Sequence, residues 1–197
     1  MAQRLKRAES RELTRQRLLE SAATLFAKRG FQATSVDDVA EAAGFSKGAF
    51  YYNFESKDEL FQTLVEHEIG GLVSSLESTL AGAHTIESKL AAAQRLLTER
   101  EKDKSGAQLE FEVLTQAVRD PKLRKIVTGA YQQMCAAIGA LIDEQFAQAG
   151  VRPPLPAKDL ATAIVAGALG HGLLESLDPG AVRPGLLPSV VALLLRP

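Results

Sequence analysis

Between Gly30 and Leu60 three helix-start signals follow one another: Thr34-Ser35-Val36-Asp37, then Ser46 just after Gly44-Phe45, then Ser56-Lys57-Asp58-Glu59. Each sets a hydroxyl ahead of backbone N–H groups that a helix start leaves unpaired, and the first and last add a carboxylate three residues on. Punctuation this dense dictates short helices joined by sharp turns. The spacing predicts a helix over about 35–42, capped by Thr34 with Asp37 reaching back, and with Val36, Val39, Ala40 and Ala43 facing inward. Gly44 stops it, Phe45 plugs the turn, and Ser46 opens a third helix to about residue 52. Ahead of this pair, Leu18, Ala22, Leu25 and Phe26 make one apolar stripe on a helix over about 10–29, ended by Gly30. Two short helices braced by a longer one form a helix-turn-helix, whose second short helix enters the DNA major groove.

The rest of the chain is also helical in pattern. Strand alternation is absent, and Val, Ile and Thr do not cluster into short runs. Ser56 and Glu59 open a long fourth helix toward residue 80, and a fifth covers about 86–101. The polar segment 101–106 reads as a loop before a sixth helix over about 107–119. Asp120-Pro121 caps and restarts the chain for a seventh helix to about 148, proline being favoured in a first turn. A proline-rich loop, 149–156, precedes an eighth helix over about 157–177, and the last, about 187–195, is almost wholly apolar. The fold class is therefore all-α, with about nine helices: a three-helix head over 1–55 and a larger helical body over 56–197.

The net charge of −1 conceals an asymmetry, since residues 1–57 carry +3 and the remainder −4. A basic end on an acidic body points to a polyanion at that end. The charged N-terminus has no apolar core segment, so no secretory signal is expected, and no apolar run reaches the ~18 residues of a membrane span. The single cysteine, Cys135, sits in an apolar helical pattern and reads as a small buried hydrophobe in a reducing compartment. His67, His84 and His171 are scattered, and no metal-ligand spacing, nucleophile–base set or phosphate-cradling glycine loop occurs. No enzymatic role, metal or cofactor is expected. A helical enzyme or lipid carrier with a fortuitous helix-turn-helix would need a convergent set of titratable groups in the body, and the sequence offers none.

The stretch SKGAFYYNF, residues 46–54, carries the most chemistry. Four of its positions, Phe50, Tyr51, Tyr52 and Phe54, are aromatic in a chain that is only 6% aromatic, with Lys47 and Lys57 on either side. Phe50 and Phe54 are expected to point into the head. Tyr51 and Tyr52 then offer hydroxyls to phosphate oxygens, and Lys47 supplies charge near the helix start. Gly48 costs a helix about 1 kcal/mol relative to alanine, which makes sense where DNA approaches the backbone. Lys57 opens the next helix, where N–H groups and the dipole also favour an anion.

The segments LLESAATLFAKRGF, 18–31, and TSVDDVAEAAGFSKGAFYYNFESKDEL, 34–60, resemble the DNA-binding head of the TetR (tetracycline-repressor) family of bacterial transcription regulators. The resemblance covers about the first 60 residues. It implies DNA contacts at Thr34, Ser35, Lys47, Gly48, Tyr51, Tyr52 and Lys57, with the basic N-terminal arm contributing more loosely. Two departures stand out. Asn53 replaces a frequent histidine and can still donate to phosphate, and Phe50 replaces the commoner leucine as a packing change.

The body is similar to that family's ligand-binding and dimerisation domain, which implies a homodimer on a palindromic operator and a small-molecule effector. Independently, residues 161–174 are apolar and rich in small residues (Ala161, Gly167, Ala168, Gly170, Gly172), and the C-terminal helix is more apolar than a surface helix. Two such helices from each chain would make a four-helix interface. Glu110, Phe111, Leu114, Gln133, Met134 and Ile138 are the expected pocket residues. Their few polar groups imply a mainly apolar effector, cationic if Glu110 faces inward. The expected function is a cytoplasmic, ligand-responsive transcriptional repressor that reads specific DNA as a dimer.

Overall fold

The computed structural model describes residues 2–83 and 85–195, and the side chains within 2–8 and at 86, 90, 100 and 101 lie outside what is described. His84 and the side chains of Arg4, Lys6 and Arg7 in the expected basic arm therefore fall outside the described residues. Within them the chain forms helices α1 (Ala2–Arg29), α2 (Val36–Ala42), α3 (Lys47–Asn53), α4 (Lys57–Ala81), α5 (Ile86–Lys102), α6 (Lys104–Ala117), α7 (Pro121–Gln148), α8 (Ala157–Leu177) and α9 (Leu186–Leu194), and no strand.

Three expectations are corrected. The helix α1 begins well ahead of residue 10. The α2 cap is one residue later than read: Ser35, not Thr34, accepts from the Asp38 amide, and Asp38, not Asp37, returns a carboxylate to the Ser35 amide. The polar 101–106 segment is not a loop. Asp103 alone separates α5 from α6, because its carboxylate accepts from the Gly106 amide at 2.9 Å and restarts the helix at once. Elsewhere the caps behave as read, with Ser46, Ser56 and Asp120 each accepting from a first-turn amide of α3, α4 and α7.

The head packs around aromatic rings. Leu18, Ala22 and Phe26 of α1 are buried against Val39, Ala40, Phe50 and Phe54. Phe26, Phe31 and Phe61 form a triad with ring centroids 4.6–5.4 Å apart. Gly44, at φ +76°, supplies the left-handed residue that turns α2 into α3, and Phe45 donates its amide back to Ala40 at 2.8 Å. The same cluster continues through Leu60, Phe61, Leu64 and Val65 of α4 into Leu109, Val113 and Ala117 of α6 and Leu123 and Val127 of α7. A second cluster joins α7, α8 and α9 through Ile142, Phe146, Leu160, Ile164, Val191 and Leu195, with Cys135 partly buried against it.

By length and composition α8 is apolar enough to cross a bilayer, unlike the sequence expectation that no run qualifies. Its apolarity instead has two outlets here. One face is buried through Ala157, Leu160, Ala161, Ile164 and Val165, and the opposite side leaves Leu173, Leu174 and Leu177 exposed.

Candidate nucleic-acid interface and effector cavity

The helix α3 is two-sided. Phe50 and Phe54 lie 0% and 1% exposed in the head core, while Tyr51 and Tyr52 on the other side are 52% and 71% exposed. Lys47, Gly48 and Ser35 are also exposed, so five of the seven expected DNA contacts share the solvent-facing side of α2 and α3. Two arginines of α1, spaced i, i+4, fix the far end of α3. Arg11 stacks over the Tyr52 ring at 5.2 Å. Arg15 stacks over Phe54 at 4.2 Å, donates to the Asn53 carbonyl at 2.9 Å and reaches Thr63 at 3.3 Å. Sequence reasoning left both among the arm's loose charges, although their spacing already put them on one helix face.

The other two expected contacts turn inward. Thr34 is 1% exposed and its hydroxyl donates to the Gly30 carbonyl at 2.8 Å, so its side chain has no free path to a phosphate. Lys57 is partly buried. Its ammonium donates to the carbonyls of Phe31 and Thr34, both at 2.8 Å, and lies 4.3 Å from the centre of the Phe31 ring. It ties the Gly30–Thr34 turn to the start of α4. Asn53 also departs from expectation. It is 6% exposed, with its amide donating to the Ala49 carbonyl at 2.8 Å, and it is not placed to meet phosphate.

Charge on the exposed side is paired. Lys47 donates to Asp37 at 2.8 Å, and that hydrogen bond and the carboxylate charge hold the ammonium above the usual lysine range. Asp38 pairs with Arg29 at 3.6 Å, and its carboxyl is held below the usual aspartate range first by the Ser35 hydroxyl, then by the Ser35 amide.

In the body, two adjoining cavities of about 250 and 330 Å³ share Leu72, Leu97, Glu110, Tyr131, Met134 and Ala168. The first is apolar and runs past Ile138, Ile142 and Ile164 to Leu195. The second is more polar, with Glu68, Asp103, Lys104, His171 and Glu175 on its wall. Glu110 sits on the shared wall and accepts from the Tyr131 hydroxyl at 3.0 Å. Of the expected pocket residues, Glu110, Met134 and Ile138 line a cavity. Gln133 is exposed, Leu114 packs on the head cluster, and Phe111 packs against α8 beside Gly172. Sequence reasoning named no residue of the α4 wall, although Leu72, Leu76 and Leu80 recur at four-residue spacing.

On α8 and α9 the exposed side carries Leu173, Leu174, Leu177, Leu186, Val190 and Leu193. The small residues divide. Ala161 is fully buried and Gly172 packs on Ala107 and Phe111, while a side chain at Gly170 would meet nothing within 4 Å. His171 lines the more polar cavity.

The family model described as bacterial regulatory proteins, tetR family, matches residues 18–64. Among curated relatives, the uncharacterized HTH-type transcriptional regulator YfiR of Bacillus subtilis is 26% identical over 78% of this chain and 75% of its own. The HTH-type transcriptional activator FasR of Mycolicibacterium smegmatis is 31% identical over 67% of this chain and 60% of its own. The HTH-type transcriptional repressor KstR2 of Rhodococcus jostii is 40% identical over 37% of this chain and 38% of its own. In fold, the chain is similar to a transcriptional regulator from Saccharomonospora viridis crystallised with choline, at TM-score 0.77 and 22% identity over 90% of this chain and 93% of that one.

Proposed function

From the premise that this chain belongs to the TetR family of bacterial regulatory proteins, and is a DNA-binding transcriptional regulator, we propose a homodimeric repressor released from a palindromic operator by a small molecule. The observation that carries this reading is α3, anchored below by Phe50 and Phe54 and presenting Lys47, Gly48, Tyr51 and Tyr52 above. The head, 1–55, inserts α3 into the major groove, with Ser35 at the start of α2 on the neighbouring phosphates. Thr34 and Lys57 act one step back, by fixing the turn from which α2 starts.

The body, 56–197, binds the effector and pairs the chains. The effector is mainly apolar, with its body against Ile138 and Met134 and its polar end toward Glu110 and Tyr131. Precedent for a small ligand in this fold comes from the choline-bound neighbour. The exposed leucines of α8 and α9 meet their counterparts across a two-fold axis, which sets the two heads one helical turn of DNA apart. An effector that binds best to a conformation with a different head spacing releases the operator, with a coupling of about 1–3 kcal/mol. Such a regulator works in the cytoplasm and needs no enzymatic chemistry or cofactor.

The test is selection of random duplexes on the purified chain, followed by a reporter carrying the recovered site. A palindrome whose occupancy lowers reporter output supports the repressor. A palindrome whose occupancy raises output makes the chain an activator, as FasR is named. Selection that yields no common sequence from folded protein overturns the reading.

A further inference from the structure

We propose that Asp37 is an electrostatic brake on sequence-independent DNA binding, holding the Lys47 ammonium so that this lysine grips a phosphate only where DNA displaces the carboxylate. The inference rests on the reading that α3 faces DNA. Its starting point is the α2 cap. Asp38 closes that cap with Ser35, which leaves Asp37, beside it in the same first turn, with no capping role. The Asp37 carboxylate instead accepts from Lys47 at 2.8 Å, ten residues along, across the turn between α2 and α3. Both side chains are more than half exposed, 63% for Asp37 and 55% for Lys47. An exposed ion pair is weak, because water and salt screen it, so a phosphate can compete for the ammonium. While the pair persists, the expected DNA-facing side presents one cation fewer than its composition suggests.

Sequence-independent affinity is almost wholly electrostatic and scales with the number of phosphates neutralised. A carboxylate committed to the one lysine at the start of the groove helix therefore acts most directly on that mode of binding. Arg29, at the end of α1, is already paired with Asp38 at 3.6 Å, so it does not relieve Asp37 of Lys47.

The test uses the full chain and a mixed-sequence duplex of about 30 base pairs, titrated at several salt concentrations. Asp37→Asn is expected to bind about three- to tenfold tighter near 0.1 M salt, and its log–log salt slope to steepen by about one phosphate contact. In a Lys47→Ala background the same substitution should yield less than half that gain, because no lysine is then left to release. Asp37→Ser repeats the measurement with a second side chain, and thermal melts show that each variant is folded. An unchanged affinity and slope in both variants overturns the proposal. So does an undiminished gain in the Lys47→Ala background, which would mean simple repulsion of DNA by Asp37. Lys47→Ala on the selected operator tests the underlying reading separately: undiminished operator binding there removes Lys47 from the DNA contacts, whatever Asp37 does.

Discussion

Lys57 lies within a DNA-facing motif, yet its three donor positions are largely used inside the head. Two carbonyls and one ring face its ammonium, all from the turn at Phe31–Thr34. Replacing it with methionine keeps the stem and removes the donors, which leaves the two carbonyls without a charged partner. Lys57→Met should therefore destabilise the protein by about 2 kcal/mol in urea unfolding. A variant that melts like the parent yet binds DNA poorly would instead restore Lys57 to the interface. The α2 cap makes a second prediction. The Asp38 carboxyl is held low in the folded state by Ser35, so its contribution is present at neutral pH and is lost as pH falls through the acid range. Unfolding of Asp38→Asn should lack that acid limb. At this scale the motif was legible and the partners of its side chains were not. Thr34, Asn53 and Lys57 stand in a motif that announces function, but their hydrogen bonds depend on which carbonyls the fold brings near. For Lys57 those lie 23 and 26 residues away in sequence.

Among the elements, α6 touches both the cavities and the head. Its Glu110 lines the cavities, while Glu112, two residues on and so on the opposite face, meets the head. Glu112 accepts from the Phe31 amide at 3.0 Å and from the Gln116 side chain at 2.8 Å. Gly30, at φ +81°, supplies the left-handed residue of this turn, and a Cβ there would stand 3.4 Å from the Glu112 carboxylate. Lys57 and Glu112 thus grip one turn from two sides, and that turn sets where α2 begins. Glu112→Ala leaves the Phe31 amide without its partner and should cost about 1–3 kcal/mol, with faster hydrogen exchange at Phe31. Glu112→Gln keeps an acceptor and should recover most of the loss. Exchange at Phe31 that is unchanged in the alanine variant would show that α6 does not hold the head this way. Helix order was legible because apolar spacing and caps are local. The α5–α6 joint was not, because five polar residues and a glycine look like a loop until Asp103 is seen to cap within a single residue.

For the whole molecule the decisive surface is the apolar side of α8 and α9. The sequence makes residues 161–174 and nearly all of α9 apolar, with no polar stripe between them to say which side faces the subunit's own core. The structure separates them: Leu160, Ile164 and Val191 go inward, while Leu174, Leu177 and Leu193 stay out. The exposed positions fall on both helices, and large apolar side chains left out in this number are of the kind that marks a protein interface. Burying one such leucine against a second copy would contribute about 1.5–3 kcal/mol, and a two-fold axis counts every contact twice. Leu177 and Leu193, 73% and 67% exposed, touch little within the subunit, so charge there should spare the fold of the single chain. If the chains pair through this surface as proposed, Leu177→Asp with Leu193→Asp should turn a sedimenting dimer into a folded monomer, and should lose most operator affinity through loss of the second head. A double variant that remains dimeric and still binds would place the two-fold axis elsewhere. The apolar side of α8 would then need another covering, and the head spacing on DNA would have to be derived from a different pair of helices.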